Sequence, residues 1–254
     1  MFALVRKPLD HARQQAGFGM IELVAAMAVM SVGLLAVFAM LESGMVQIKR
    51  ASAISTAAAL ADSEMESYRA IKYSGIGLAD ADVLAADATY TADAAYRGDA
   101  TTALAAAITT TSTTSISVSS GAGFPATGQF RVQIDSELMF VTAGAGTTTW
   151  TVVRGASGTT AATHVAGATV MLESRVDVAK CGTAPCTNSE PTRTVTGADG
   201  RSYRIDTYMT WHVPTNQSGT VGRNLKVVTL VVRAQSNGRV YARVASSFDE
   251  STGL

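Results

Sequence analysis

Between Phe18 and Leu41 the chain runs through one long apolar stretch that contains a single charged residue, Glu22. From Leu23 to Leu41 there is no Asp, Glu, Lys or Arg. A helix needs roughly 20 apolar residues to cross the hydrocarbon core of a bilayer. The stretch therefore predicts a spanning helix rather than a buried element of a soluble domain. Ahead of it, Arg6, Lys7 and Arg13 outnumber the one acid, Asp10. Basic flanks are retained on the cytoplasmic side, so the expected topology has the N-terminus inside and the rest of the chain outside.

Glu22 is the anomaly of that stretch. A carboxylate embedded in an apolar helix costs on the order of 2–4 kcal/mol unless it has a partner. A cut after Gly17 would give Phe18 a free α-amine with a pKa of about 8, a countercharge at the same depth. Within one helix the two groups are four residues apart. Between neighbouring helices the pair would fix the axial offset of one subunit against the next. The competing reading is an interfacial glutamate near the end of a signal anchor.

The run Gly17-Phe18-Gly19-Met20-Ile21-Glu22-Leu23, continued by Val24-Ala25-Ala26-Met27-Ala28-Val29-Met30-Ser31-Val32-Gly33-Leu34-Leu35, resembles the N-terminus of type IV prepilins. The similarity is greatest to minor pilins and pseudopilins. It implies that a prepilin peptidase cuts between Gly17 and Phe18, that the new amine of Phe18 is N-methylated, and that Glu22 serves assembly. It further implies other pilin subunits and the inner-membrane pilus assembly machinery as partners. The location would be the cytoplasmic membrane before assembly and a surface filament afterwards. Gly19 and Met20 depart from the commoner Thr and Leu, and no proline falls between Phe18 and Pro125. Many major pilins carry a proline midway along this helix, so its absence favours the minor or pseudopilin class.

Composition narrows the function classes. The 254 residues hold 20 Lys+Arg and 20 Asp+Glu, a formal net charge of zero, which argues against a nucleic-acid clamp. Two cysteines and three histidines leave little material for metal or acid–base chemistry. No nucleophile elbow, phosphate loop or metal-binding helix is recognisable. Neither enzymatic activity nor a cofactor is expected.

The remaining organisation predicts an α+β fold: a long N-terminal helix packed on an antiparallel meander, with a small all-β module inserted between them. Residues 1–17 form the leader and 18–73 the long helix. Its second half places Ile54, Ala57, Ala58, Ala61, Met65, Tyr68 and Ile71 at three- and four-residue steps. Residues 74–107 are rich in Ala and Asp. They lack the Asp-x-Asp-x-Asp-Gly order of a calcium loop and read as a solvated loop, with a short helix around Thr101–Ala107. Residues 108–172 alternate short β-prone runs with glycine turns. The stretch from Phe124 to Val170, and within it the run Arg154-Gly155 to His164, resembles a β module recurrent in phage virion and other surface proteins. Decoration or contact with a surface receptor is the role this implies. His164 reads as a turn or packing residue.

Residues 173–254 supply the meander. Asp199-Gly200 and Asn237-Gly238 are hairpin signals. Tyr203, Ile205, Met209, Trp211 and Val213 alternate with polar residues, which predicts one buried face. Asn224–Ala234, apolar on both faces, predicts a central strand. Cys181 and Cys186 are spaced for a tight structural bridge outside the cytoplasm; a redox pair is the alternative, and its familiar spacing is two residues, not four.

Three functions remain on these grounds. The first is a minor pilin of an extracellular filament. The second is a pseudopilin of a type II secretion or DNA-uptake machine. The third is an exported adhesive protein with an ordinary signal segment, cut after Val37-Phe38-Ala39 to leave Met40 first.

Overall fold

The computed structural model describes residues 19–78, 87–98, 100–176, 188–212 and 225–250. In chain order these form α1 (Met20–Arg69), β1 (Gly77–Leu78), α2 (Ala88–Thr91), β2 (Thr101–Ala103), β3 (Ser115–Ser117), β4 (Phe130–Ile134), β5 (Glu137–Ala143) and β6 (Thr149–Val153). They continue with β7 (Thr169–Leu172), β8 (Asn188–Ser189), β9 (Thr192–Thr196), β10 (Ser202–His212), β11 (Leu225–Ala234) and β12 (Val240–Asp249). The fold is α+β, with a long N-terminal helix and antiparallel sheets, as the sequence predicts.

The chain divides into a unit ending at Ala51 and a second running from Ser52. The described part of the first is helix from Met20 onward. Alanine, leucine and methionine favour it, no proline interrupts it, and Ser31 returns its hydroxyl to the Met27 carbonyl at 2.8 Å. Every residue from Gly19 to Ala51 is exposed.

In the second unit the C-terminal part of α1 buries Ala53, Ala57, Ala61, Met65 and Tyr68, a stripe of four-residue steps closed by a three-residue step. Ile54, expected in this stripe, is instead 42% exposed. The stripe packs on Tyr203, Ile205 and Met209 of β10 and on Val228, Leu230 and Val232 of β11. Alanines bring helix and sheet close together. At the turn between β9 and β10 a Cβ on Gly197 would fall 2.5 Å from Cγ2 of Thr56, so only glycine fits there.

The helix ends at Arg69, short of the expected Tyr73. A tertiary clamp is the cause. Lys226, buried in β11, donates to the carbonyls of Tyr73 and Ile76, both at 2.7 Å, and holds that segment in a 3-10 turn. Burial and the nearby Arg131 push the Lys226 amine down to about 8.

The meander has the order β12-β11-β10-β9, with hairpins at Asp199-Gly200 and Asn237-Gly238 as read from the sequence. One expectation about it is corrected. β10 is buried on both faces through its middle, from Tyr203 to Met209, apart from a half-buried Arg204. The face expected to meet solvent is covered by residues 87–98. Tyr90 of α2 stacks on Tyr208 at 4.3 Å between ring centroids. Its hydroxyl donates to the Thr207 carbonyl at 2.6 Å, while that of Tyr208 donates to the Tyr90 carbonyl at 2.9 Å.

Charges complete this second interface. Asp206, fully buried, accepts from Arg204 at 2.6 Å and from Arg233 at 2.8 Å. Arg204 reaches on to Asp87 at 2.8 Å, and Asp93 pairs with both Arg233 and Arg243. Asp87 and Asp93 therefore are not solvated loop acids. Burial raises each carboxyl, but backbone N–H donors (Tyr90 for Asp87, Ala95 for Asp93) and the arginines outweigh it, leaving both below the usual carboxylate range. Asp80, Asp82 and Asp99 lie outside the described residues.

The short helix expected around Thr101–Ala107 is instead the strand β2, the start of a six-stranded antiparallel sheet ordered β2-β7-β4-β5-β6-β3. The sheet curls until its end strands meet. The bridge Leu104↔Val118 joins them, supported by Ser119 N–H to Ala103 O and Ala105 N–H to Ser117 O, both at 2.8 Å. The interior holds Trp150, fully buried, with Phe124 and Phe130 packed at 5.0 and 5.3 Å between ring centroids. On leaving the barrel the chain is stitched to β10: Val176 N–H donates to Met209 O and Trp211 N–H to Ser174 O.

Candidate functional site

The segment that sequence reasoning singles out begins at the N-terminus of α1. Glu22 lies in its first turn, where carboxylates favour the helix dipole. Its backbone N–H donates to Gly19 O at 2.9 Å, so the helix is already closed at this depth. The side chain is exposed, and among the described residues no Lys, Arg or His pairs with it. Gly17 and Phe18, the expected cut and methylation site, lie outside the described residues, as do Cys181 and Cys186.

Around Glu22 the surface is apolar without cover. Met20 and Ile21 are each 85% exposed, Phe38 62% and Met40 75%. An added Cβ at Gly33 or Gly44 would meet nothing within 4 Å. Monomeric soluble proteins do not leave a patch of this extent in water; lipid or other apolar helices must cover it. The helix is long and apolar enough to cross a membrane, and its most apolar part is wholly unburied. Chemically, the segment can anchor and associate, and Glu22 can accept a cation from outside the helix.

The barrel holds a second constellation, centred on a residue that sequence reasoning missed. Glu137, fully buried at the start of β5, takes two parallel bonds from Arg154, Nε and Nη2, each at 2.8 Å. The N–H groups of Gly155 and Ala162 add bonds at 2.9 Å each. His164 sets Nε2 at 2.9 Å from Glu137 and Nδ1 at 2.7 Å from Asp135. Burial would raise the Glu137 carboxyl; Arg154, the Ala162 amide, His164 and the Gly155 amide overcome it and hold it at about 2.

The run Arg154-Gly155 to His164 is thus a strap of donors closing on one carboxylate. The sequence signal was present in Asp135-Ser136-Glu137, where Asp135 takes the tight turn at φ 51° and sends Glu137 inward. His164 is buried and hydrogen-bonded to Glu137 and Asp135, consistent with the expected packing role. No group of three or more His, Cys, Asp or Glu suited to a metal ion occurs among the described residues.

Comparison with known proteins bears on the first of these sites. The prokaryotic N-terminal methylation motif matches residues 12–38. No curated protein and no solved structure matches the chain. The matched stretch contains Glu22 and the first half of the exposed apolar helix, and it is the prepilin-type motif of type IV pilins and pseudopilins. The chain is therefore a pilin- or pseudopilin-like exported protein anchored by its N-terminal helix. Association with other pilin subunits and with prepilin peptidase goes with that motif, which is one of structural subunits.

Proposed function

We propose that the chain is a minor pilin: a subunit cut between Gly17 and Phe18, N-methylated on Phe18, and built into or onto a type IV pilus-like filament. The observation that carries this reading is Glu22, a carboxylate in the first turn of a helix whose apolar surface is uncovered from Met20 to Ile48. Packing of that surface against neighbouring subunits supplies association. Pairing of Glu22 with the amine of a neighbouring Phe18 supplies register, because a buried carboxylate tolerates only positions that neutralise it.

Before assembly the helix spans the cytoplasmic membrane with the N-terminus inside, and afterwards the barrel and meander face the medium. The barrel serves as a contact surface for a receptor. Cys181 and Cys186 form a bridge in that oxidising setting.

The test is expression beside a prepilin peptidase, followed by N-terminal mass analysis and filament shearing. N-methylated Phe18 and recovery in the sheared fraction support the reading. Met40 at the N-terminus would establish an ordinary signal segment instead. Glu22→Ala is expected to be processed normally yet lost from filaments.

A pseudopilin of a secretion or DNA-uptake machine is the second reading, with which the proline-free α1 agrees equally well. Cross-linking to the subunits of each machine separates the two.

A further inference from the structure

A cleft of about 440 Å³ opens where the barrel meets the meander. Protein interiors leave few voids larger than a water molecule, and small-molecule sites occupy roughly 300–1,000 Å³ at junctions such as this. It is lined by Ala95 and Arg97, by the barrel at Pro125, β4 and the end of β7, and by facing parts of β10 and β11.

Its floor is fixed. Arg131 of β4 is buried, paired with Glu173 at 3.5 Å, and its guanidinium carbon sits 4.0 Å from the ring centroid of Trp211. That stack ties barrel to meander, so the cleft does not depend on a hinge. The Trp211 indole N–H finds no acceptor among the described residues, an unspent donor in the wall.

The walls carry Gln129, Thr210 and Thr229, short groups able both to donate and to accept. This suits hydroxyl groups better than an alkyl or aryl ligand, which would require a deeper apolar pocket. At the mouth, Arg97 is exposed. Its Nη1 donates to Ala94 O at 2.7 Å and Tyr96 O at 3.1 Å, which aims the guanidinium without neutralising it. His212 also lines the cleft, and its one lining carboxylate, Glu173, is matched by Arg131.

From this arrangement we infer that the cleft binds a carboxylate-bearing saccharide, its hydroxyls on the Gln129, Thr210 and Thr229 side chains and its carboxylate toward Arg97. The inference is independent of the filament reading, since it concerns binding by the isolated chain.

The test uses the full chain in detergent micelles, titrated with digalacturonate, with lactose as the neutral sugar and with a short acetylated peptide ending in a free carboxylate. The chain has two tryptophans; Trp150 is fully buried in the barrel, so a saturable fluorescence change reports on Trp211. Digalacturonate is expected to saturate, with roughly tenfold weaker binding in Arg97→Gln, the loss of one charge-assisted contact. Thr229→Phe, checked for folding by circular dichroism, is expected to abolish it. Equal binding of lactose would overturn the anionic assignment, and equal binding of the peptide would overturn the saccharide assignment. No saturable change with any probe, or full binding by folded Thr229→Phe, would overturn the site itself.

Discussion

Glu137 and Arg154 meet as a bidentate pair inside the barrel, both bonds 2.8 Å, with the two side chains 0% and 6% exposed. Five donor groups converge on that one carboxylate, drawn from the turn after β6 and the strap that follows it. The hub ties the turn after β6 and the strap to the start of β5.

Removing one member strands the others. Glu137→Ala is expected to destabilise the barrel by about 3–5 kcal/mol, because Arg154 and two backbone N–H groups lose their acceptor in a dry site. The paired change Glu137→Leu with Arg154→Met should cost clearly less than the two single changes together. Urea unfolding followed by Trp150 fluorescence measures both.

The same carboxylate sets an acid limit. Its folded pKa of about 2 lies below the ordinary value of 4.5, so the folded state holds its proton more weakly than the unfolded chain. The stability it contributes is complete above pH 4.5 and is lost as pH falls from there toward 2. Midpoints measured across that window should drop in the parent, and the drop should shrink in Glu137→Gln.

Lys226 gives a slope of the same sign at the alkaline end. Its folded pKa of about 8 lies below 10.5, so between those values the unfolded chain binds the extra proton and stability rises with pH. The neutral amine still has two N–H groups for Tyr73 O and Ile76 O. Lys226→Met should abolish the rise, and hydrogen exchange at Gly75 and Ile76 should quicken as the clamp is lost.

The cover over the polar face of β10 rests on Tyr90 and Asp93. Tyr90→Ala is expected to release residues 87–98 from the meander, read as faster exchange at Ala92, Asp93 and Tyr96, while the α1 stripe stays protected. Asp93→Asn should act in the same direction, since Arg233 and Arg243 both lose their shared acceptor.

Much of this architecture was legible from periodicity and turn chemistry. The four-residue spacing of Ala57, Ala61 and Met65 gave the helix face, and Asp199-Gly200 and Asn237-Gly238 gave the hairpins. What the sequence concealed was tertiary. Polar alternation in β10 reads as a solvent face, yet Arg204 and Asp206 are held by partners distant in sequence, Asp87 and Arg233. Lys226, more than a hundred residues after the end of α1, binds two carbonyls of the turn that follows the helix. Glu137 was missed as a hub because its donors, Arg154, Gly155, Ala162 and His164, come from a loop that no strand pattern describes. At the N-terminus the position was reversed. Glu22 stood out in the sequence at once, because a charge within an apolar run has no local explanation.

The most direct measurement is the mass of the N-terminal peptide from protein recovered in sheared surface filaments, for the parent and for Glu22→Ala. An N-methylated Phe18 terminus in parent filaments, with processed Glu22→Ala confined to the membrane, is the expected result. Filaments that incorporate Glu22→Ala as readily as the parent would leave the carboxylate without a part in assembly, and an intact leader on filament-borne protein would leave the cut after Gly17 without one.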